Sequence, residues 1–210
     1  MKKMIRFILY LAGLAILSLG VVLNTKTGLG VSPINSIPYA IAQITGYSLG
    51  TTTAVMYVIC VLIQSLMMGK NWKPKVLLQI PFSILFGVYV NVFNEKIDYM
   101  AEGIVTQILL LAVAIVLTGL GAYISVAMDI VPNAPDGLAQ MMGVKMKKNF
   151  GTAKSILDII CVVLTCILCL VITGELIGIG LGTVIAALLI GQVIKLCGKV
   201  LKEPLQKVLF

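Results

Sequence analysis

Two short polar segments follow long apolar stretches of this sequence, and they carry residue types that bind polar solutes. The first is GLGVSPINSIP, residues 28–38, and the second is DIVPNAPDGL, residues 129–138. An amide, Asn35, and a carboxylate, Asp136, occupy corresponding places in the two segments. Because this pair offers hydrogen-bond donors, acceptors and one negative charge, it suits a zwitterionic or cationic solute.

Each segment also has the composition of a helix start. Ser32 followed by Pro33 predicts a capping residue and a first helical position, and Asn133 stands at the corresponding place in the second segment. We expect short helices at about 33–46 and about 134–146, both too short to cross a bilayer. Irregular backbone at membrane depth is tolerated only inside protein or beside a wet cavity. The segments are therefore either re-entrant half-helices at a binding site or surface helices at the two membrane faces.

Further ionisable or polar residues join the candidate site, because such groups are costly within a membrane unless they find a partner or water. Asp158 lies four residues after Lys154, which predicts a salt bridge along one helix face. Asp129 ends a long apolar stretch. Lys26 follows the first stretch and either pairs with Asp129, pairs with the carboxylate of the second segment, or reaches the lipid headgroups. Tyr57 aligns with Asp158 in the duplication described below and is expected to line the same path.

Several kinds of chemistry are excluded. The sequence has no histidine, which removes Ser-His-Asp triads, Cys-His pairs and the commonest metal ligand. All five cysteines, including the Cys166 and Cys169 pair, lie in apolar stretches where ordinary packing explains them. The Gly-rich stretch 174–191 has no GxGxxG and no P-loop lysine. We predict that the protein is not an enzyme and uses no cofactor or metal.

The composition indicates an integral membrane protein. Hydrophobic residues make up 60% of the chain and charged residues 11%, whereas a soluble domain has about a quarter charged. Uncharged runs approach the roughly 20 residues that a membrane helix needs. The predicted spans are 7–23, 51–69, 76–94, 103–128, 159–174, which extends back to about 151, and 176–194. These continuous runs predict an all-α protein of six transmembrane helices.

The basic residues predict its orientation. They precede the first span, lie between the second and third and between the fourth and fifth, and follow the sixth. The opposite loops hold four acidic residues and the lysines Lys26 and Lys96. By the positive-inside rule, both termini lie in the cytoplasm and the chain crosses the bacterial cytoplasmic membrane. The net charge of +8 therefore reflects topology, and no nucleic acid is expected as a partner.

A shift of 101 residues places the sequence on itself. GTTTAVMYVICVL, residues 50–62, then overlies GTAKSILDIICVV, residues 151–163. We expect a first repeat at 1–101, a second at 102–204 and a cytoplasmic tail at 205–210. Each repeat has three spans and one short helix, so the second enters the membrane from the opposite side. Inverted-topology repeats of this kind are typical of transporters, although duplications also build channels and scaffolds.

Several motifs together resemble the bacterial membrane proteins of the YczE/YyaS/YitT type: TGLGVSPIN, TGYSLGTTT, APDGL and IGIGLGTVIAALLIGQ. The resemblance covers nearly the whole chain and implies a multi-pass plasma-membrane protein of poorly defined activity, sometimes taken to be a transporter. The Pro-x-Asp element typical of that family is replaced by PIN in the first half, and APD displaces its proline in the second. No arginine precedes Asp136, so a substrate that such an arginine binds in relatives is not implied here.

These observations predict a secondary transporter that moves a small polar organic solute across the bilayer by alternating access. Coupling would be to a proton or ion gradient, or absent, with Asp136 or Asp129 as the proton carrier. The predicted site residues are Asn35, Asp136, Ser32, Asn133, Lys26, Asp129, Tyr57 and Asp158. The alternatives are the substrate-binding subunit of a vitamin uptake complex, a channel, and a membrane scaffold or assembly protein without transport. A homo-oligomer is compatible with all of them.

Overall fold

A computed structural model describes residues 2–203 and 205 of the chain. Of the tail predicted at 205–210, all but Leu205 lies outside the described residues. The described part contains helices and no strand, so the all-α class is confirmed. The helices are α1 (Lys2–Thr25), α2 (Ser36–Thr45), α3 (Leu49–Met68), α4 (Gln79–Lys96), α5 (Ile104–Ala127), α6 (Ala134–Met146), α7 (Phe150–Ile172) and α8 (Leu181–Val200).

Six of these helices are long and apolar enough to cross a membrane, which indicates a multi-pass membrane protein. They are α1, α3, α4, α5, α7 and α8. The last one begins at Leu181, five residues after the start of the apolar run predicted at 176–194. Gly174 and Gly178 explain this difference, because their φ angles of 75° and 71° lie in the left-handed region and hold the chain in a loop.

The two short helices are buried at one end and exposed at the other. A 3-10 turn, Pro33–Asn35, leads into α2, whereas α6 begins directly at Ala134. Asn35 is 1% exposed and Asp136 is 2% exposed. Beyond the far end of α2, Tyr47 is 68% exposed. The first turns of both short helices therefore lie inside the helix bundle and not on its surface.

The two longest helices, α1 and α5, form the centre of the bundle and run antiparallel. Gly13 faces Ser125, whereas Gly20 lies farther along α1 and faces Thr118, which lies earlier in α5. A Cβ at Gly121 would overlap the backbone of Leu17. Small residues allow this close approach, which is the usual basis of helix packing in lipid.

Two outer helix pairs are held together in the same way. Gly50 of α3 packs against the carbonyl of Gly87 in α4, and Gly151 of α7 packs against the carbonyl of Gly191 in α8. Each pair brings two backbones into direct contact, so a methyl group at any of these four positions would overlap a main-chain oxygen.

Local backbone geometry recurs 101 residues later in the chain. α3 begins at Leu49 and α7 at Phe150, and each is capped by the side chain of the preceding residue. Among the described residues, Asp129 and Lys147 are the non-glycine residues with positive φ. They stand 101 residues after Gly28 and Gly46, which also have positive φ. Non-glycine residues adopt this conformation rarely, so the coincidence extends the sequence match to the backbone.

We expect Gly50→Ala and Gly151→Ala each to lower the free energy of unfolding by about 1–3 kcal/mol, because the new methyl group is forced against a backbone carbonyl. This cost outweighs the better helix propensity of alanine. Thermal unfolding in detergent micelles measures it. The matched control is Gly198→Ala, whose Cβ would lie 3.5 Å from Tyr123 Cε2 in ordinary contact. Equal melting temperatures for all three variants would contradict the packing described here.

Candidate functional site

A buried ion cluster lies where the first turn of α6 meets α7. Lys154 Nζ is 3.0 Å from Asp158 Oδ1 and 3.7 Å from Asp136 Oδ1. The side chains of all three residues are 3% exposed or less. The salt bridge between Lys154 and Asp158 was predicted from their spacing and is confirmed. The contact with Asp136 brings a second carboxylate to the same ammonium group.

Burying the three charged groups of this cluster costs free energy. Buried charges cost several kcal/mol each unless they are paired and hydrogen-bonded. With all three groups ionised, two carboxylates share one ammonium group, which leaves one uncompensated negative charge. Asp136 Oδ2 and Asp158 Oδ2 accept no hydrogen bond from any described residue. The cluster can therefore accept a proton or a positively charged group.

Tyr57 of α3 lies next to this cluster and connects it to the first polar segment. Its ring stacks on Phe86 of α4, with centroids 4.9 Å apart. Its hydroxyl lies close to the side chains of Asn35 and Asn133, and it interacts electrostatically with the carboxylate of Asp136. Residues from both polar segments thus meet at one tyrosine.

Several side chains around Tyr57 have no hydrogen-bond partner among the described residues. Both amide atoms of Asn35 are buried and unpaired, and so are Asn133 Oδ1 and Ser32 Oγ. More than about 90% of buried polar groups in proteins have a hydrogen-bond partner, so several unpaired polar atoms in one place need an explanation. Water or a solute is the natural partner for polar atoms gathered in this way.

The structure brings five of the predicted site residues together: Asn35, Tyr57, Asn133, Asp136 and Asp158. Ser32 is fully buried just before the 3-10 turn that carries Asn35. Ser32 is the N-cap residue of that turn and Pro33 its first position, as predicted, but the Ser32 hydroxyl makes no capping hydrogen bond. Proline at the next position fixes the backbone there, and the helix proper begins only at Ser36.

Lys26 and Asp129 lie elsewhere. Lys26 Nζ donates to the carbonyl of Asn94 at 3.4 Å. The side chain of Asp129 is 85% exposed, and its Oδ2 is 3.9 Å from Arg6 Nη2. Neither of the expected pairings of Lys26 forms, because Lys26 and Asp129 follow the C-terminal ends of the antiparallel helices α1 and α5 at opposite ends of the bundle.

Sequence reasoning missed Lys154, Gln64 and Gln79 as site residues. The two glutamines are buried, and their side chains approach Gly137 so closely that a Cβ there would lie 2.7 Å from each of them. The signal was present in all three cases, since a lysine or glutamine within an apolar span needs a polar neighbour. Tyr10 of α1 is also fully buried with an unpaired hydroxyl near Asp136.

A cleft of about 250 Å³ opens at the end of the bundle that carries Lys73 and Lys75. Its inner wall includes Gln64, Gln79 and Gly137, next to Asp136 in the chain. No group of three or more metal-ligating side chains occurs within residues 2–203 and 205.

The equivalent positions at the opposite end of the bundle are in close contact with each other. Ser36 Oγ and Thr165 Oγ1 are hydrogen-bonded at 2.7 Å. The ring of Tyr39 lies so close to Gly178 that a Cβ there would be 2.5 Å from it. The amide of Val31 donates to the carbonyl of Gly178 at 2.9 Å. These contacts fill the position that corresponds to Gln64 and Gly137, while a pocket of about 400 Å³ lined by Lys26, Tyr39 and Gln43 lies at the same end of the bundle.

Lys154→Met should lower the free energy of unfolding by about 3–5 kcal/mol, because it leaves two buried carboxylates without their cation. The double variant Lys154→Met/Asp158→Asn should recover part of that loss, since one carboxylate is removed as well. Thermal unfolding in micelles gives both values. Lys148→Met, at an exposed lysine, is the control and should change little. A double variant no more stable than the single one would show that the two side chains are not coupled.

Comparison with known proteins places the chain among relatives of undefined activity. The protein YyaS of Bacillus subtilis (strain 168), described as uncharacterized, is 26% identical over 121 residues. The match covers 57% of this chain and 59% of that protein, so it spans less than two thirds of the relative's length. No solved structure matches. The resemblance to the YyaS type is confirmed, and a model of one family matches residues 4–199, from α1 to the end of α8. The chain belongs to DUF6198, a family of unknown function.

Proposed function

We propose that the protein is a secondary transporter of a small polar organic solute in the bacterial cytoplasmic membrane. The observation that carries this proposal is the buried cluster of charged and unpaired polar side chains at Tyr57, where both interrupted segments meet. Groups this costly within an apolar bundle are typical of substrate and ion pathways. The protein binds and moves its solute and catalyses no chemical step.

The proposal includes inverted repeats at 1–101 and 102–204. The antiparallel packing of α1 and α5 supports it, because these are the first spans of the two repeats. The recurrence of positive φ at Gly28 and Asp129 supports it independently. In this arrangement α2 and α6 are half-helices whose N-terminal ends approach each other from opposite faces of the membrane, as in other inverted-repeat transporters.

Unequal closure of the two sides supports alternating access. Gln64 and Gly137 line the open cleft. Their counterparts 101 residues away are Thr165 and Ser36, which are hydrogen-bonded to each other. Equivalent positions thus line a cleft on the side of the basic loops and are in direct contact on the other side, where a separate pocket of about 400 Å³ reaches as far as Tyr39 and Gln43. A molecule built from two repeats reverses this difference by exchanging the conformations of the repeats.

The geometry favours transport over the alternatives. A scaffold would place the short helices on the surface, whereas Asn35 and Asp136 are almost completely buried. A channel would need a continuous passage, whereas Ser36 Oγ and Thr165 Oγ1 are in direct contact at the positions equivalent to the cleft. The vitamin-uptake subunit has no need of an internal duplication. The gradient of a proton or another ion would supply the energy, since no nucleotide motif is present.

Asp136→Asn should reduce uptake into proteoliposomes to the level of empty vesicles, because it removes one of the two carboxylates at the site. The measurement uses radiolabelled amines, amino acids and carboxylic acids with an imposed pH gradient. Asp98→Asn is the matched control, since Asp98 is an exposed aspartate in the loop after α4. Uptake that is identical in wild type and Asp136→Asn would remove this carboxylate from the mechanism.

The proposed orientation places the loop between α6 and α7 in the cytoplasm and the loop between α4 and α5 outside. In a variant without native cysteines, we expect Asp98→Cys to react with a membrane-impermeant maleimide in intact cells. Lys148→Cys should react only after the cells are permeabilised. Both side chains are exposed, so differences in burial do not explain the result. Labelling in the opposite order would reverse the orientation.

A further inference from the structure

The chemical class of the solute follows from the charges and unpaired atoms at the site. The described contacts around Lys154 include two carboxylates, Asp136 and Asp158, and no second cation. Lys154 therefore has no positive charge to spare for an anionic solute. The first turn of α6 already contains a carboxylate of its own, so its positive dipole end is partly neutralised.

The unpaired atoms are mostly acceptors. Asn35 Oδ1, Asn133 Oδ1, Asp136 Oδ2 and Asp158 Oδ2 are all buried without a donor. The unpaired donors are one amide group, Asn35 Nδ2, and the hydroxyls of Tyr10 and Ser32, each of which can donate one hydrogen. Carboxylate and amide oxygens of this kind are satisfied by N–H groups, and a carboxylate is bound most strongly by a charged one.

An independent observation shows that this is a site and not only a pair of acidic groups. Asn35 is 1% exposed and belongs to the other polar segment, yet both of its polar atoms lack a partner. It lies beside Tyr57, which also interacts with Asp136. A buried amide without a well-formed hydrogen bond is destabilising, which favours a water molecule or a ligand at this position.

We propose that the site binds a small organic cation with N–H donors, an alkylammonium ion, and that this cation and a proton occupy it in turn. The ammonium group would donate to the free oxygens of Asp136 and Asp158 and to Asn35 Oδ1. When the cation leaves, a proton from water binds one carboxylate and restores neutrality. When the cation enters, that proton is released to water, and no bond other than O–H is made or broken.

Other titratable groups surround the carboxylates, and none of them supplies a second positive charge. They are Tyr10 of α1, Tyr57 and Cys60 of α3, and Cys161 of α7. Since all four are neutral when protonated, the exchange involves the carboxylates. Cation binding should therefore weaken as the pH falls, because protons compete for the same oxygens.

This inference rests on the proposed function but is tested first by binding. The purified full chain is heated in micelles with methylammonium or putrescine, and separately with acetate or succinate, at mildly acidic and mildly alkaline pH. We expect the amines to raise the melting temperature, more at alkaline pH, and to release protons into a weakly buffered solution. The acids should have no effect. In Asp136→Asn the apparent affinity for the amines should fall by about 30-fold or more, and in Asp98→Asn it should be unchanged.

Two further variants keep the test decisive if Asp136→Asn does not fold. Asp158→Asn also removes the excess negative charge and should abolish the effect of the amines. Asn35→Asp adds a carboxylate and should favour putrescine, which has two ammonium groups, over methylammonium. Stabilisation by the acids, equal stabilisation by amines in wild type and the Asp136 or Asp158 variant, or no effect of any probe would overturn the proposal.

Uptake measurements separate this proposal from the transport proposal. If amines bind as described but proteoliposomes do not accumulate labelled methylammonium or putrescine, the cation site stands and transport of these amines fails. If acetate or succinate is accumulated while amines neither bind nor enter, the protein is a transporter and the cation site is wrong.

Discussion

The contact of Lys154 with two buried carboxylates constrains much of the structure. Asp136 reaches Lys154 Nζ only if the first turn of α6 lies deep in the bundle against α7. That depth requires the preceding residues to run inward without helical hydrogen bonds, which explains the prolines and the polar residues of this segment. It also places Gly137 against Gln64 and Gln79, where any larger side chain would overlap them. The non-helical segment before α6 is therefore what allows the charge of Asp136 to be buried.

Close helix packing makes this depth attainable. In lipid, burial of apolar surface does little to bring helices together, so backbone contact must do so. The central pair meets at Gly20 and Gly121, and the outer pairs at Gly50 with Gly87 and Gly151 with Gly191. The outer contacts hold α3 against α4 and α7 against α8, and α6 packs against both α3 and α7. Tyr57 and Asp158, one on each of these helices, consequently lie beside the same cluster.

Features encoded locally could be predicted from the sequence, and features that depend on tertiary contact could not. Apolar runs predicted the six spans, and a four-residue spacing predicted the bond from Lys154 to Asp158. The second partner of Lys154 lies on another helix, so no spacing reveals it. The start of α8 was predicted five residues too early, because hydropathy does not reveal the left-handed backbone conformations at Gly174 and Gly178. The pairing of Lys26 with Asp129, one of the alternatives considered, does not form because the two residues follow the C-terminal ends of antiparallel helices.

The two halves match in backbone but differ in charge, and this difference bears on how the site would work. At an offset of 101 residues, Asp136, Lys154 and Asp158 correspond to Asn35, Thr53 and Tyr57. All three charges therefore belong to α6 and α7, which pack on each other. In the proposed transport cycle, movement of one repeat against the other would leave the ion cluster intact and would change its position relative to Asn35 and Tyr57. One repeat would then carry the negative charge, and the other would set how well a cation is coordinated in each state.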